Sequence, residues 1–204
     1  MNKFIFPFLM LSFSGAIAQK VTLDEVNEPF SAGNVNAYKL FIPYASENDV
    51  TKAWKGWLKK KEAKLNDSKG IIFADNTVIK EFGSGTCDIY TKIIEQKGEG
   101  ITMLVAYDLG DDFLKCINFP DKCSHAKGQL NSFGFLQAKS ALEEMIEDEN
   151  HKLEKYKSKQ KSLEKENSSL NEDISNLKSK ISKAENELVL SLIHISEPTR
   201  RYAI

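Results

Sequence analysis

A seven-residue repeat in the C-terminal part of this 204-residue chain limits its fold more than any other feature. Over residues 142–188, mostly apolar side chains recur at alternating steps of four and three residues. This spacing places one apolar seam along a helix that otherwise carries Lys and Glu, so it predicts a long coiled-coil helix. The predicted core consists of Leu153, Leu163, Asn167, Leu170, Ile174, Leu177 and Ile181.

The residue types along this seam indicate how it pairs. With Leu153 at heptad position a, Ile174 and Ile181 also lie at a, and the later leucines lie at d. Ile at a with Leu at d favours two parallel strands, and an Asn at a, such as Asn167, fixes the register. We therefore expect a homodimer or another coiled-coil partner. An antiparallel hairpin within a longer natural chain and a single solvated helix are the alternatives.

The N-terminal residues predict export. Lys3 precedes an almost unbroken apolar run over residues 4–13, and Ala16-Ile17-Ala18 follows it. A basic start, a short apolar run and an A-x-A end are the three parts of a secretory signal peptide. The run is shorter than the roughly 20 residues that a membrane-spanning helix needs. Residues 1–18 are therefore expected to be removed, which leaves Gln19 first in a periplasmic or envelope-associated protein without a transmembrane segment.

The composition changes abruptly at the other end of the chain. Residues 190–200, LSLIHISEPTR, are the translation of a DNA string that resembles a transposase adapter used in sequencing-library preparation. We therefore exclude residues 190–204 from the fold prediction and expect the natural helix to continue beyond Val189. Without Lys3, Arg200 and Arg201 the 28 basic residues become 25, and without Glu197 the 29 acidic residues become 28. A net charge of −3 argues against a general nucleic-acid binder.

Residues 36–124 predict a small α+β domain of the order β-α-β-β-β, with an antiparallel sheet. The predicted organisation is a signal peptide (1–18), an N-terminal extension (19–35), this domain (36–124), the long helix (125–189) and the adapter-like segment (190–204). Ser46 and Asp49 resemble a capping box that begins a helix. Two runs joined through residues 97–100 predict a hairpin, and its second strand is apolar on both faces, so we expect it in the centre of the sheet.

The predicted helix carries two tryptophans, Trp54 and Trp57, on the same stripe as Val50 and Leu58. This spacing favours packing against the sheet. Because six lysines lie nearby, a basic aromatic surface for anionic lipid or single-stranded nucleic acid is the alternative.

No pattern of side chains predicts catalysis. Asp108, Asp111 and Asp112 follow the last strand, but they lack calcium-loop spacing, and a solvated turn explains them. The sequence contains no G-x-S-x-G, phosphate-loop or H-E-x-x-H motif. We therefore predict that the protein is not an enzyme, with no catalytic, cofactor-binding or metal-binding residues.

The three cysteines are Cys87, Cys116 and Cys123. Export implies an oxidising compartment, and Cys116 and Cys123 flank a short loop, so a disulfide between them is expected. Cys87 would then be buried or available for intermolecular pairing. A zinc site of Cys116, Cys123 and His125 lacks a fourth ligand and is the weaker interpretation.

Three segments, A-W-K-G-W-L-K-K-K, F-A-D-N and G-I-T-M-L-V-A-Y-D-L-G, lie within residues 50–114. This stretch resembles a group of exported Bacteroidota proteins that have a small α+β domain followed by a Lys/Glu-rich coiled coil. The resemblance implies an architecture and carries over no functional residue. The first hypothesis is an envelope scaffold that assembles through the helix. The second is a periplasmic binding module for a small molecule, lipid or polysaccharide, with the ligand unknown and a pocket expected between the Trp-bearing helix and the sheet. A metal-assisted hydrolase that uses Asp108, Asp111 and Asp112 is the contrasting third hypothesis.

Overall fold

The computed structural model describes residues 20–30, 33–68 and 70–201, with side chains to residue 193. The predicted signal peptide lies outside the described residues. The chain divides between Met145 and Ile146 into two compact units, called the head (to Met145) and the arm (from Ile146) below. Across the described ranges, no helix combines the length and hydropathy needed to span a bilayer.

The head contains a six-stranded antiparallel sheet, which confirms the α+β class. The strands lie in the order β1-β2-β6-β5-β4-β3. A single 3₁₀ turn, Lys80–Phe82, precedes β5. The strands and helices are β1 Thr22–Phe30, β2 Gly33–Pro43, α1 Glu47–Lys60, β3 Lys64–Ser68, β4 Ile71–Thr77, β5 Cys87–Gln96, β6 Gly100–Asp108 and α2 Pro120–Arg201.

The predicted N-terminal extension, residues 19–35, is corrected by the structure. Strand β1 and the start of β2 occupy this segment, and they pair along their whole length from Thr22 opposite Phe41 to Phe30 opposite Gly33. The sequence conceals β1 because it carries four acidic or amide side chains and Pro29, which are rare in central strands. An edge strand tolerates such residues because one of its sides makes no ladder hydrogen bonds. Strand β3, at the opposite edge of the sheet, is also rich in polar residues and was not predicted for the same reason.

Helix α1 begins as predicted. The Ser46 hydroxyl accepts a hydrogen bond from the Asp49 backbone N–H at 3.2 Å, and Ser46 is the N-cap. The apolar stripe of α1 packs on one face of the sheet, where Val50, Trp54 and Leu58 are buried. The Trp54 indole N–H donates to the Thr91 hydroxyl of β5 at 2.9 Å, so burial leaves this polar group satisfied. Trp54 is therefore part of the core.

The predicted hairpin and central strand are confirmed. Strands β5 and β6 pair from Asp88 opposite Asp108 to Gln96 opposite Gly100, and β6 is buried from Gly100 through Tyr107. Gly100 has φ +143°, and a Cβ there would lie 2.2 Å from the Ile42 carbonyl oxygen. Only glycine fits this position, because a side chain would collide with the backbone of β2. Gly100 therefore allows β6 to begin in close contact with β2.

The second face of the sheet is covered by the tip of the β1–β2 hairpin. Strand β2 pairs with β6 only from Tyr38 onward, so its first residues pair with β1 alone. Phe30 at the tip packs with Leu104 and Ala106 of β6 in a second apolar cluster. The Lys92 ammonium donates to the Pro29 carbonyl and lies over the Phe30 ring. Coverage on both faces explains why β6 is apolar on both sides.

The predicted start of the long helix at residue 125 is also corrected. Helix α2 begins at Pro120, and its first residues belong to the head. Leu130 and Phe133 are buried in the main core, and Phe133 contacts the Trp54 ring edge-on with centroids 5.1 Å apart. The first turns of α2 therefore complete the helical layer beside α1. At its other end α2 continues to Arg201, so the helix does not break where the composition changes.

Candidate functional site

The arm presents a mostly apolar stripe to solvent. Each predicted coiled-coil core residue, Leu153, Leu163, Asn167, Leu170, Ile174, Leu177 and Ile181, lies exposed on this helix. The Leu170 side chain, in the middle of the stripe, is 55% exposed. Leaving a leucine in water rather than burying it forgoes about 1.5–3 kcal/mol. A repeated stripe of this kind is the type of surface through which helices pack against one another.

The polar side chains along the stripe fall into two groups. Some bond within their own helix, as in the contacts of Gln160 with Glu164 at 2.9 Å and Asn171 with Asn167 at 2.7 Å. The charged residues that flank the stripe differ. Over the described residues, no ion pair forms within the chain for Lys159, Asp173, Lys178, Lys180 or Glu185. Their charges are available to a second helix.

A groove of about 590 Å³ lies in the head between α1 and the start of α2. Trp57 forms the α1 wall, where its ring stacks on Trp54 with centroids 4.7 Å apart. The α2 wall combines polar and apolar side chains, namely Asp121, Ser124, His125, Gly128, Gln129, Ser132, Phe133 and Leu136. The Gln129 side-chain oxygen is buried and finds no hydrogen-bond partner among the described residues. The pocket expected between the Trp-bearing helix and the sheet is filled by the buried side chains of Val50, Trp54 and Leu58, and the groove lies instead between two helices. The sequence did not predict this groove, because its walls come from distant segments.

Cys116 and Cys123 are joined by a disulfide that ties the loop before α2 to the first turn of that helix. The Glu25 carboxylate of β1 lies beside them, accepting from the Cys116 backbone N–H at 3.1 Å and from the Asn36 amide at 3.0 Å. Glu25, Cys116 and Cys123 form one cluster of potential metal ligands. Bonded to each other, however, the two sulfurs are not thiolates.

His125, which the zinc interpretation would place with the cysteines, faces Glu81 instead, with Nε2 3.3 Å from Oε1. The three predicted residues therefore do not converge. Cys87 is buried on β5, and its burial raises the pKa of the thiol to about 12. A neutral, enclosed thiol is suited to packing rather than to nucleophilic chemistry.

The acidic residues after β6 form a turn. The Asp108 carboxylate accepts from the Gly110 backbone N–H at 2.9 Å, which closes the turn locally. Asp112 pairs with Lys115 at 3.0 Å, and this hydrogen bond holds the pKa of Asp112 below its ordinary value. Asp111 lies exposed between them. The carboxylates of Asp108 and Asp112 therefore stabilise the turn itself, as expected for a solvated turn.

No protein-family model, no curated protein and no solved structure matches the chain. The stripe on the arm and the groove on the head are the two surface features that suggest a function.

Proposed function

We propose that this protein is an exported, non-enzymatic interaction or scaffold protein of the cell envelope, and that its arm assembles into a parallel homodimer. The observation that carries the proposal is the exposed heptad stripe of the arm. The signal-peptide pattern at residues 1–18 supports export. The head would then be the part that contacts other envelope components.

The stripe supports two parallel strands through its residue types. Ile174 and Ile181 lie at a, and Leu163, Leu170 and Leu177 lie at d. β-Branched side chains at a with leucines at d pack best in a two-stranded parallel coil. Asn167 at a pairs with its own copy in this arrangement, since each layer brings identical residues together. A shift by one heptad would set the Asn167 of one copy against Ile174 of the other and leave its amide without an amide partner.

The flanking charges support the same arrangement. In a parallel dimer each g residue meets the e residue of the following heptad on the partner. The pairs Lys159 with Glu164, Asp173 with Lys178 and Lys180 with Glu185 all attract, whereas Lys152 with Lys157 repels. Exposed pairs contribute only a few tenths of a kcal/mol each, so they select orientation rather than drive assembly.

Sedimentation velocity over a range of concentrations tests the proposal. The unchanged chain is expected to shift from monomer to dimer as its concentration rises. Leu170→Gln combined with Leu177→Gln should move that transition to much higher concentration. Ser168→Gln with Ser175→Gln, which adds the same side chain at outward b positions, is the matched control and should leave it unchanged. A chain that stays monomeric at high concentration would contradict the dimer.

Export has its own test. When the chain is expressed with its N-terminal residues intact, the periplasmic fraction should contain protein whose intact mass corresponds to a first residue of Gln19. Ala16→Asp with Ala18→Asp should block this processing, because signal peptidase selects small residues at these positions. Unprocessed protein retained in the cytoplasm by the unchanged chain would contradict export.

The groove favours a second candidate function, a periplasmic binding module. It combines an aromatic wall at Trp57 with the polar groups of Asp121, His125 and Gln129, a mixture found in small-molecule sites. Tryptophan fluorescence titrations with soluble oligosaccharides and with short-chain lipid micelles would test it. Binding that is lost in Trp57→Ala supports the candidate, and no change with either probe rejects it.

A further inference from the structure

The heptad positions can be counted back along the sequence from the arm into the head. This numbering places Phe135 and Leu142 at d, before Ile146 at a. Within the head, the Phe135 ring is 64% exposed and Leu142 is 42% exposed. Two large apolar side chains thus occupy seam positions on α2 and are left in water.

The rest of α2 within the head uses different helix positions. Ala126, Leu130, Phe133 and Ala138 are buried in the main core, and they lie at b, f, b and g. Gly134, at c, lies so close to β2 that a Cβ would be 2.9 Å from the Leu40 side chain. The head therefore takes up the b, c, f and g side of the helix, while the a and d positions from Gly128 onward are exposed.

The groove lies beside this unoccupied side. Gly128 and Ser132, two of its lining residues, are at d and a, and Leu136 at e is exposed next to them. In a parallel coil a d side chain fits between four residues of the facing helix, at a, d, e and the next a. For Phe135 these are Ser132, Phe135, Leu136 and Lys139 of the second copy. The small Ser132 leaves room there for an aromatic ring.

We propose that this face of the head, consisting of Gly128, Ser132, Phe135, Leu136 and Leu142, is an interface, and that its occupant is the same face of a second copy. The inference rests on the proposed parallel dimer of the arm and extends it to the heads. Phe135 of each copy fills the space beside Ser132 and Leu136 of the other. The groove is then a contact between copies, and a small-molecule ligand does not occupy it.

Oxidative cross-linking of single-cysteine variants tests this. The described cysteines leave no accessible thiol, because Cys116 and Cys123 are bonded and Cys87 is buried. Phe135→Cys reports on the head, and Leu170→Cys reports on the arm. Ser140→Cys is the matched control, an exposed position at b. Since a disulfide needs Cα atoms within about 7 Å, the two seam variants should cross-link about tenfold more than the control.

The outcomes separate the two proposals. Cross-linking at Leu170 with none above control at Phe135 leaves the arm dimer standing, overturns the head interface and assigns the groove to another occupant. Failure at both positions overturns both. Cross-linking at Phe135 alone overturns the arm dimer and, with it, the continuous seam from which the head interface is inferred. Because Phe135 is exposed, Phe135→Ala should keep the circular dichroism and melting temperature of a diluted, monomeric sample while weakening self-association, which confirms that folding is intact.

Discussion

Phe30 of β1 lies against Tyr90 of β5 with ring centroids 6.3 Å apart and planes at 65°, although two strands separate β1 from β5 in the sheet. The contact exists because the β1–β2 hairpin bends over the sheet and brings its tip above β6. Phe30→Ala should therefore destabilise the fold by about 3 kcal/mol, as for other buried aromatic side chains. Urea unfolding measures this, and Ile117→Ala, at a fully solvated position, serves as the control. A change below 1 kcal/mol at Phe30 would show that the hairpin tip is not docked.

The Trp54–Thr91 hydrogen bond should have a measurable energy. Thr91→Val keeps the shape of the side chain but leaves the buried indole N–H without an acceptor, which costs about 1–3 kcal/mol. In a Trp54→Phe background the same substitution should cost almost nothing, because the donor is gone. Urea unfolding of the four proteins gives the coupling energy. Equal costs in both backgrounds would show that the bond is absent.

Removal of the Cys116–Cys123 disulfide should lower the free energy of unfolding by about 2.5 kcal/mol, the chain-entropy value for so short a loop. The double substitution to serine and chemical reduction of the unchanged protein should give the same loss. Thiol titration under denaturing, non-reducing conditions should find a single free thiol, that of Cys87. A melting temperature unaffected by reductant would contradict a structural role.

The fold should lose stability in alkali. Burial raises the pKa of Cys87 from an ordinary 9.0 to about 12 and also raises the pKa values of Tyr38 and Tyr107. Above pH 9 the unfolded chain therefore binds fewer protons than the folded one, and stability falls with rising pH by up to about 1.4 kcal/mol per pH unit for each group. The stability is fully present below pH 9.

Urea midpoints between pH 8 and pH 11 measure this loss. In Cys87→Ala the decline should begin about one unit higher, near pH 10, where the tyrosines start to ionise in the unfolded chain. A constant midpoint across this range would mean that the three groups are not buried in solution.

Asn167 should limit the stability of the arm dimer. Asn167→Ile replaces a polar pair at a by two apolar side chains and should tighten the dimer by about 2–3 kcal/mol, from the added apolar burial. It should also relax the register and the number of strands. Sedimentation equilibrium measures the dimer affinity and the number of strands. Ser168→Ile, at an outward position, is the control, and an equal effect there would contradict the register.

Sequence periodicity predicted the elements whose apolar pattern is local. Helix α1 follows from the Ser46 cap and the stripe through Trp54, and β6 follows from an apolar run flanked by turn residues. Strand β1 could not be predicted in this way, because its acidic residues meet solvent at an edge. The core role of the first turns of α2 was missed for another reason, since residues 125–141 were assigned with the heptad segment to one long helix outside the domain.

The candidate sites also differ in whether the residues that form them are close together in the sequence. The stripe of the arm is visible in the sequence because one helix contains all of it. The groove depends on Trp57 and His125, which come together only after α1 and α2 pack side by side. The proximity of Glu25 to Cys116 likewise depends on β1, a strand the sequence does not reveal. The sequence pattern shows the residue types, but it does not show which distant residues come together in the fold.

The pairing of β2 with β6 has a consequence for how the chain acquires its fold. Every other neighbouring pair of strands is consecutive along the chain and can close locally, whereas β2 ends at Pro43 and its partner begins at Gly100. Pairing β2 with β6 therefore closes a long loop, residues 44–99, at an entropy cost that the local pairs do not have. Until that loop closes, one edge of β2 and its apolar residues are unprotected. Early folding is therefore limited to α1 and the pairs of consecutive strands, and the central sheet forms only when β2 and β6 meet.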